Sequence, residues 1–453
     1  MHEFLFEYHR VPPTTWAYLS SLLILAIFFK FSRLWSIRNF DLIGLLLFAP
    51  GLLMVHFGAR SGAEFAEHSG YVWLFCISAV FLIRLLVDPI MVRRPLLEPN
   101  LSVGGLTFLG AALLIFLMAN VVTSAVSSKD LMAAQRAHEM LMRQEVREGD
   151  ESLATNGPGH TWLFLIPAIS TQSIVADEPV DGETAQLSSS GGRFLVNAAT
   201  ARTVTILSHL AIVIALVLIG YRHFDNMKTG IAAATLYLLL PYTAIWTGYS
   251  DHVLPAAILI WALESYRRPL VSGMLMGWAI GATYFPVFLL PLWVGFYWQR
   301  GRARFVIGVL ISIALLVSTL ALTSSDLASF LAQVKLMFGW RVPMMTDLGG
   351  FWKYHVPEYR MPVLAAFAAL SVSFAIWPAQ KNLGTLMSCS AAIMLGTQFW
   401  HPQEGGVYMA WYLPLLLLTV FRPNLEDRIA LSVLGEGWFR SNRPRSESVD
   451  QAA

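Results

Sequence analysis

Charge is what this chain lacks most. Only 13% of its residues are charged, about half the share of an ordinary soluble domain, which is about 25%. The net charge is +2, and no basic cluster with interleaved aromatics occurs, so no nucleic-acid partner is expected. Cysteine is scarce as well. Cys76 and Cys389 each lie in an apolar run, which reads as two buried thiols rather than a disulfide or a metal site. There is no Walker loop, no dinucleotide fingerprint, no HExxH and no GxSxG, so the common soluble-enzyme chemistries have no motif here. A cleavable leader is also lacking. Glu3 and Glu7 oppose Arg10 near the start and no small-residue cleavage site follows, so the first apolar run reads as a retained anchor.

What is abundant is hydrocarbon, at 56% hydrophobic and 13% aromatic residues. A helix needs about 20 apolar residues to cross a bilayer. Runs of that kind lie near 15–31, 41–57, 71–87, 102–122, 203–221, 229–247, 252–266, 270–284, 286–298, 303–322, 361–378, 384–400 and 407–421. The expected fold is all-α, a polytopic transmembrane helix bundle of about 11–13 spans with extracytoplasmic amphipathic surface helices.

Basic residues in short loops favour the cytoplasmic side. Lys30, Arg33, Arg38, Arg93, Arg94, Arg222, Lys228, Arg267, Arg268, Arg300, Arg302, Arg304 and Lys381 fall on one side, and the opposite short loops hold Arg60 and little else. The N-terminus is then outside and the C-terminus cytoplasmic. The polar tail after Phe421 carries five arginines against five acids, and its last dozen residues read as disordered. Residues 269–299 are too few for two full crossings, so they form either a shortened hairpin covered by protein or helices longer than the runs above.

Two long loops, 123–202 and 323–360, face outside by this count. In the first, Ser127-Ser128-Lys129-Asp130 resembles a helix cap. Ala133, Ala137, Met140 and Leu141 then give one apolar face, so 128–148 reads as a helix lying on or near the membrane surface. An apolar patch covers Trp162 to Ile169, and Ser188 to Gly192 reads as a flexible linker. In the second loop Leu327, Phe330, Leu331, Val334, Met337 and Phe338 fall at helical spacing, which gives another interfacial helix.

The chemistry concentrates in Leu240 to Trp298. Asp251-His252 stands at the outer mouth of a span, then come Arg267-Arg268-Pro269, a stripe of Gly273, Gly277 and Gly281, and Thr283-Tyr284-Phe285-Pro286. Asp251 and His252 suit a divalent cation, Mg or Mn, or a general base acting on a hydroxyl. The plainer reading is an N-cap, because Ser250 and Asp251 directly precede an apolar run. Asp130 is on the same side and would make a paired carboxylate if the two approach. His160, His355, Glu358, His401 and Glu404 are outside too, each more simply read as a solvated loop residue. Arg84 and Asp88 form an i,i+4 pair, and Glu264 has Arg267 and Arg268 at the same kind of spacing. The glycine stripe lets a second helix approach closely.

This block resembles the GT-C superfamily of polytopic glycosyltransferases, which use polyprenyl-phosphate sugars. Asp251, the basic turn Arg267-Arg268-Pro269, Gly273, Gly277 and Thr283-Tyr284-Phe285-Pro286 followed by Pro291 stand in that family's order, and Trp411-Tyr412-Leu413-Pro414 is similar to its closing span. Two positions depart from the pattern. Thr283 stands where a lysine is expected, and Asp130 is the nearest match to a first-loop acidic pair. The resemblance implies a three-helix addition at 1–101, a membrane core at 102–422 and a polar cytoplasmic tail at 423–453. It also implies an integral protein of a bacterial cytoplasmic membrane, with membrane lipid and a lipid-linked sugar donor as partners. Asp251 and Asp130 would be catalytic, and His252, Tyr284, His355, His401 and Glu404 would bind substrate. The competing classes are a non-catalytic relative or scaffold and a transporter or lipid flippase; no internal repeat supports the last. The orientation is testable. A cysteine placed at Asp347 should react with a membrane-impermeant maleimide in intact cells, and one at Ser446 only after lysis; the reverse pattern would invert the topology.

Overall fold

The computed structural model describes residues 11–91, 97–141, 157–175, 185–324, 326–338 and 345–434. Among these the secondary structure is helical, with one isolated bridge between Asn382 and Ile429. The first half comprises α1 (Pro13–Phe28), α2 (Ile37–Ser61), α3 (Glu64–Val87), α4 (Val103–Thr123), α5 (Ser128–Leu141), α6 (Pro158–Val175) and α7 (Ala185–Arg222). The centre holds α8 (Met227–Leu239), α9 (Pro241–Ile245), α10 (Ser250–Glu264), α11 (Pro269–Ala282), α12 (Leu290–Phe296) and α13 (Arg302–Thr323). The rest is α14 (Leu327–Met337), α15 (Arg360–Ser373), α16 (Leu383–Gly396), α17 (Leu413–Phe421) and α18 (Ala430–Val433).

Helices α2, α3, α4, α7 and α13 contain stretches long and apolar enough to cross a membrane. By length and composition this is an integral membrane protein. Their outward side chains agree: Phe108 is 78% exposed, Ile115 72% and Leu322 86%, an arrangement that costs nothing in contact with lipid tails. Five more apolar helical stretches of 10–17 residues accompany them. Starts are set locally. Ser36 accepts from the Asn39 amide at 3.3 Å, Ser102 from Gly105 at 3.2 Å, and Asn382 and Thr385 form a capping box on α16.

The stretch 269–299 is a shortened hairpin. Helix α11 has 14 residues, about 21 Å at 1.5 Å per residue, less than the hydrocarbon thickness of about 30 Å. A 3-10 turn at Phe285–Leu289 and the short α12 follow. The expected close approach is present, and the partner is α13. A Cβ on Gly273 would strike the Phe305 carbonyl, and one on Gly277 would lie 2.7 Å from the Val309 carbonyl. Gly281 faces Leu316 on α13, and the missing Cβ atoms of Gly157 and Gly159, at the start of α6, leave room for its backbone.

Several expectations change. The segment Ser188–Gly192 is no linker, because α7 runs through it. The helical cost of Ser and Gly, up to about 1 kcal/mol each, is outweighed by continuity with the apolar run from Arg193. Helix α5 packs its alanine face on protein: Ala133, Ala134 and Ala137 are buried against Phe164 and Ala168 of α6 and Ala201 and Val204 of α7. Residues 142–148 of that expected helix, and the last dozen of the tail, lie outside the described residues. Helix α14 does form, and Phe330, Val334, Met337 and Phe338 pack toward Leu316 and Leu320, while Leu327 and Leu331 are exposed.

The first three helices share one apolar core with the rest of the chain: Ile24, Leu45 and Leu74 belong to the same cluster as Leu263 and Leu415. An ion network joins them at the end opposite the outer loops. Arg84 grips Asp41 through two bonds of 2.8 and 3.0 Å and reaches Asp88 at 2.9 Å. Asp88 also holds Arg422 at 2.8 Å, and Arg38 donates to the Arg422 carbonyl at 3.4 Å. The i,i+4 pair is therefore one edge of a larger network. Glu264 takes a partner from another helix, Arg222 of α7, at 2.5 Å. Past α17 the chain stays docked: Leu425, Ala430 and Val433 are buried and Arg428 meets Asp225 at 3.0 Å.

The α11–α13 packing gives a stability prediction. Gly277→Leu inserts a side chain where a Cβ already crowds the α13 backbone, so it should lower stability by about 1–3 kcal/mol or more. Thermal unfolding in detergent would show this as a lower melting temperature than Gly104→Ala, whose Cβ meets nothing within 4 Å.

Candidate active site

Asp130 and Asp251, far apart in sequence, meet in one buried cluster. The meeting is arranged by a hydrogen bond across helices. Ser250 opens α10, and Tyr249, at the N-cap, supplies no side-chain cap. Asp130 fills that role from α5. Its Oδ1 accepts from the Ser250 hydroxyl at 2.5 Å, and its Oδ2 lies 3.3 Å from the Ser250 amide, which donates. An orphan helix-start amide is satisfied by a carboxylate from a different element. The local cap expected from Ser250 and Asp251 is thus replaced by a long-range one. Asp251 sits in the first turn with different work to do.

Asp251 is 3% exposed, and its Oδ1 is buried without a hydrogen-bond partner. Lys129 stands 4.0 Å from Oδ2, and His252 Nε2 stands 3.9 Å from Oδ1. The Trp411 indole donates to the Asp251 carbonyl at 3.1 Å and fixes the backbone. A buried carboxylate oxygen with no donor is costly unless something else arrives to bond it.

Around it lies an aromatic wall. His252 is bonded through Nδ1 to the Tyr242 hydroxyl at 2.8 Å, and its ring stacks on Tyr408 with centroids 4.4 Å apart. Tyr408 continues to Trp411 at 4.6 Å and His401 at 4.8 Å. The Tyr408 hydroxyl is buried without a partner. Phe285, from the turn after α11, closes on His401 and Trp411, each at 4.9 Å.

His160 enters from α6. The Gly157 amide donates to the Ala282 carbonyl at 2.9 Å, and a Cβ on Gly159 would lie 2.8 Å from the Ala282 amide nitrogen. Backbone therefore lies directly on the end of α11, whose next residue is Thr283. His160 is fully buried, and neither ring nitrogen finds a partner; the Thr283 hydroxyl is likewise buried and unbonded.

The electrostatics follow from burial beside charge. Burial, and then the charge of Asp251, push the Asp130 carboxyl up to about 7, against the opposing bonds from Ser250. Burial drives His160 down to about 4, although the Asp251 charge favours its protonation. His401 is held neutral the same way, at about 3. At neutral pH the site therefore holds uncharged imidazoles and a carboxyl pair that together resist carrying two charges.

Of the expected substrate-binding residues, His252 and His401 join the cluster. Glu404 is exposed beside it, in a left-handed conformation (φ 48°) that a non-glycine residue rarely adopts. Tyr284 stacks on Phe285 at 4.1 Å and leans toward Trp400 at 6.3 Å. His355 belongs elsewhere. It stacks on Phe351 at 3.9 Å and meets His68 of α3 at 5.2 Å. That clasp also holds the Tyr354 hydroxyl, which donates to Glu67 at 3.0 Å. Sequence reading missed Lys129 and Tyr408 and ranked His160 with solvated residues. The available signal was Lys129 beside Asp130, and His160 directly after two glycines flanking Pro158. Among the described residues no group of three or more His, Cys, Asp and Glu side chains is placed to hold a metal ion. Two carboxylates are present for the expected Mg or Mn, and among the described residues no third His, Cys, Asp or Glu completes a group with them.

No protein-family model, curated protein or solved structure matches this chain.

The raised Asp130 carboxyl makes stability depend on pH. The folded state holds a proton that the unfolded chain releases near pH 4, so this contribution is present at low pH and is lost as pH rises through about 7. Asp130→Asn keeps an oxygen that accepts from Ser250 and removes the titration. The decline in melting temperature between about pH 5 and about pH 8 should flatten in that variant. An identical decline would show that Asp130 does not titrate there.

Proposed function

We propose that the protein is a membrane glycosyltransferase of GT-C type that moves a sugar from a polyprenyl-phosphate donor to an acceptor hydroxyl on the extracytoplasmic face. The observation that carries this reading is the buried, unbonded Oδ1 of Asp251 inside a cluster that also contains Asp130. In this scheme Oδ1 takes the proton of the acceptor hydroxyl. The acceptor oxygen forms the new bond to the sugar carbon, and the polyprenyl phosphate leaves with the electron pair of the broken bond. Asp130 binds Ser250 and keeps the start of α10, and so Asp251, in place. The unbonded Tyr408, His160 and Thr283 groups are available to substrate hydroxyls or phosphate oxygens. No nucleotide site is needed, because the donor is a lipid.

Tight packing favours a second reading. Asp251 at 3% exposed, His252 at 1% and Tyr408 at 2% leave little open surface. A non-catalytic relative that binds a partner through its outer loops would have the same packed centre, with Thr283 in place of the family's lysine.

Asp251→Asn separates the two. Under the proposal, transfer from a lipid-linked sugar in proteoliposomes falls by about 100-fold or more while the folded yield stays at wild-type level. Transfer at the wild-type rate would remove Asp251 from the mechanism.

A further inference from the structure

We propose that Lys129 is a positioning residue for the proposed transfer: its ammonium keeps Asp251 in the ionised form that can accept a proton. This rests on Asp251 being the base. The geometry assigns the two carboxylates different duties. Both oxygens of Asp130 face Ser250, at 2.5 and 3.3 Å, so Asp130 is committed to holding α10. Asp251 turns one oxygen toward Lys129, at 4.0 Å, and leaves the other without a bond. Among the described residues, Lys129 is the one lysine or arginine within that distance of Asp251.

The other groups facing Asp251 do not supply a positive charge at neutral pH. Asp130, from α5, is an acid. His160, from α6, and His252, from α10, are buried imidazoles, and burial keeps His160 uncharged. Tyr408, from the loop before α17, presents a neutral phenol, and Glu404, in the same loop, adds negative charge nearby. A carboxylate removed from water reverts to its acid unless an opposite charge stands close. Lys129 supplies it, and it directly precedes Asp130, the residue that docks the helix. Its side chain is 32% exposed, so the ammonium keeps contact with water.

The test reads the charge of Asp251 directly and needs no substrate. Full-length protein in lipid nanodiscs is titrated by infrared spectroscopy, following the carboxylic-acid band that Asp251→Asn removes. The probe is the proton alone. Lys129→Gln and Lys129→Met should each raise the Asp251 midpoint by about one pH unit or more, and Lys129→Arg should restore it. An unchanged midpoint in the neutral variants would overturn the proposal, and so would an equal rise in the arginine variant. Two neutral variants are used so that misfolding of one leaves the other to decide. A protein that transfers no sugar still gives this readout, so failure of the glycosyltransferase reading and failure of the Lys129 assignment are told apart.

Discussion

The bond between Asp130 and Ser250 is the contact on which the site depends. A helix beginning inside protein must find partners for its first amides, and here the partner comes from a helix that precedes it by more than 100 residues. The alanine face of α5 fits against α6 and α7, which brings the carboxylate to the end of α10. Three things follow from one docking event: the start of α10 is fixed, Lys129 is delivered beside Asp251, and an Asp251 oxygen is left unbonded. If Asp251 capped its own helix, that oxygen would be consumed by backbone and the site would have no free acceptor.

A second constraint is the lack of side chains on one face of α11. Gly273 and Gly277 bring α13 into backbone contact, Gly281 admits the Leu316 side chain, and Gly157 and Gly159 let the start of α6 rest on the same helix end. The shortened hairpin thereby ends beneath the site. Phe285 and Thr283, in its turn, become walls of that site. The irregular turn is held by protein, with Phe285, Leu289, Leu292 and Trp293 buried, while Leu270, Val271 and Met274 of α11 face outward.

How much of this the sequence disclosed can be traced residue by residue. The all-helical class followed from run length. The glycine stripe announced a close neighbour, although periodicity alone could not say that the neighbour was α13. The amphipathic spacing of 327–338 gave α14, with Leu327 and Leu331 turned out because the groove beneath accepts only part of that face. Asp251 and Asp130 were legible as outer carboxylates, but their meeting was not, since it depends on how an alanine-faced helix packs. His160 read as a polar loop residue because Gly157 and Gly159 look like loop formers; in the fold they are contact surfaces. His355 misled for the opposite reason, as a plausible outer ligand that binds its own aromatic clasp. Ser188 to Gly192 looked flexible by composition, yet a long apolar helix continues through it.

The ion network at the other end of the bundle ties the beginning of the chain to its end. Asp41, Arg84 and Asp88 are made early, and Arg422, which completes the bonding of Asp88, is made almost last. A chain halted before Arg422 would leave Asp88 without that partner, and Arg38 without the carbonyl it bonds. A change at Asp88 would therefore be felt both in α3, through Arg84, and in the segment after α17, through Arg422.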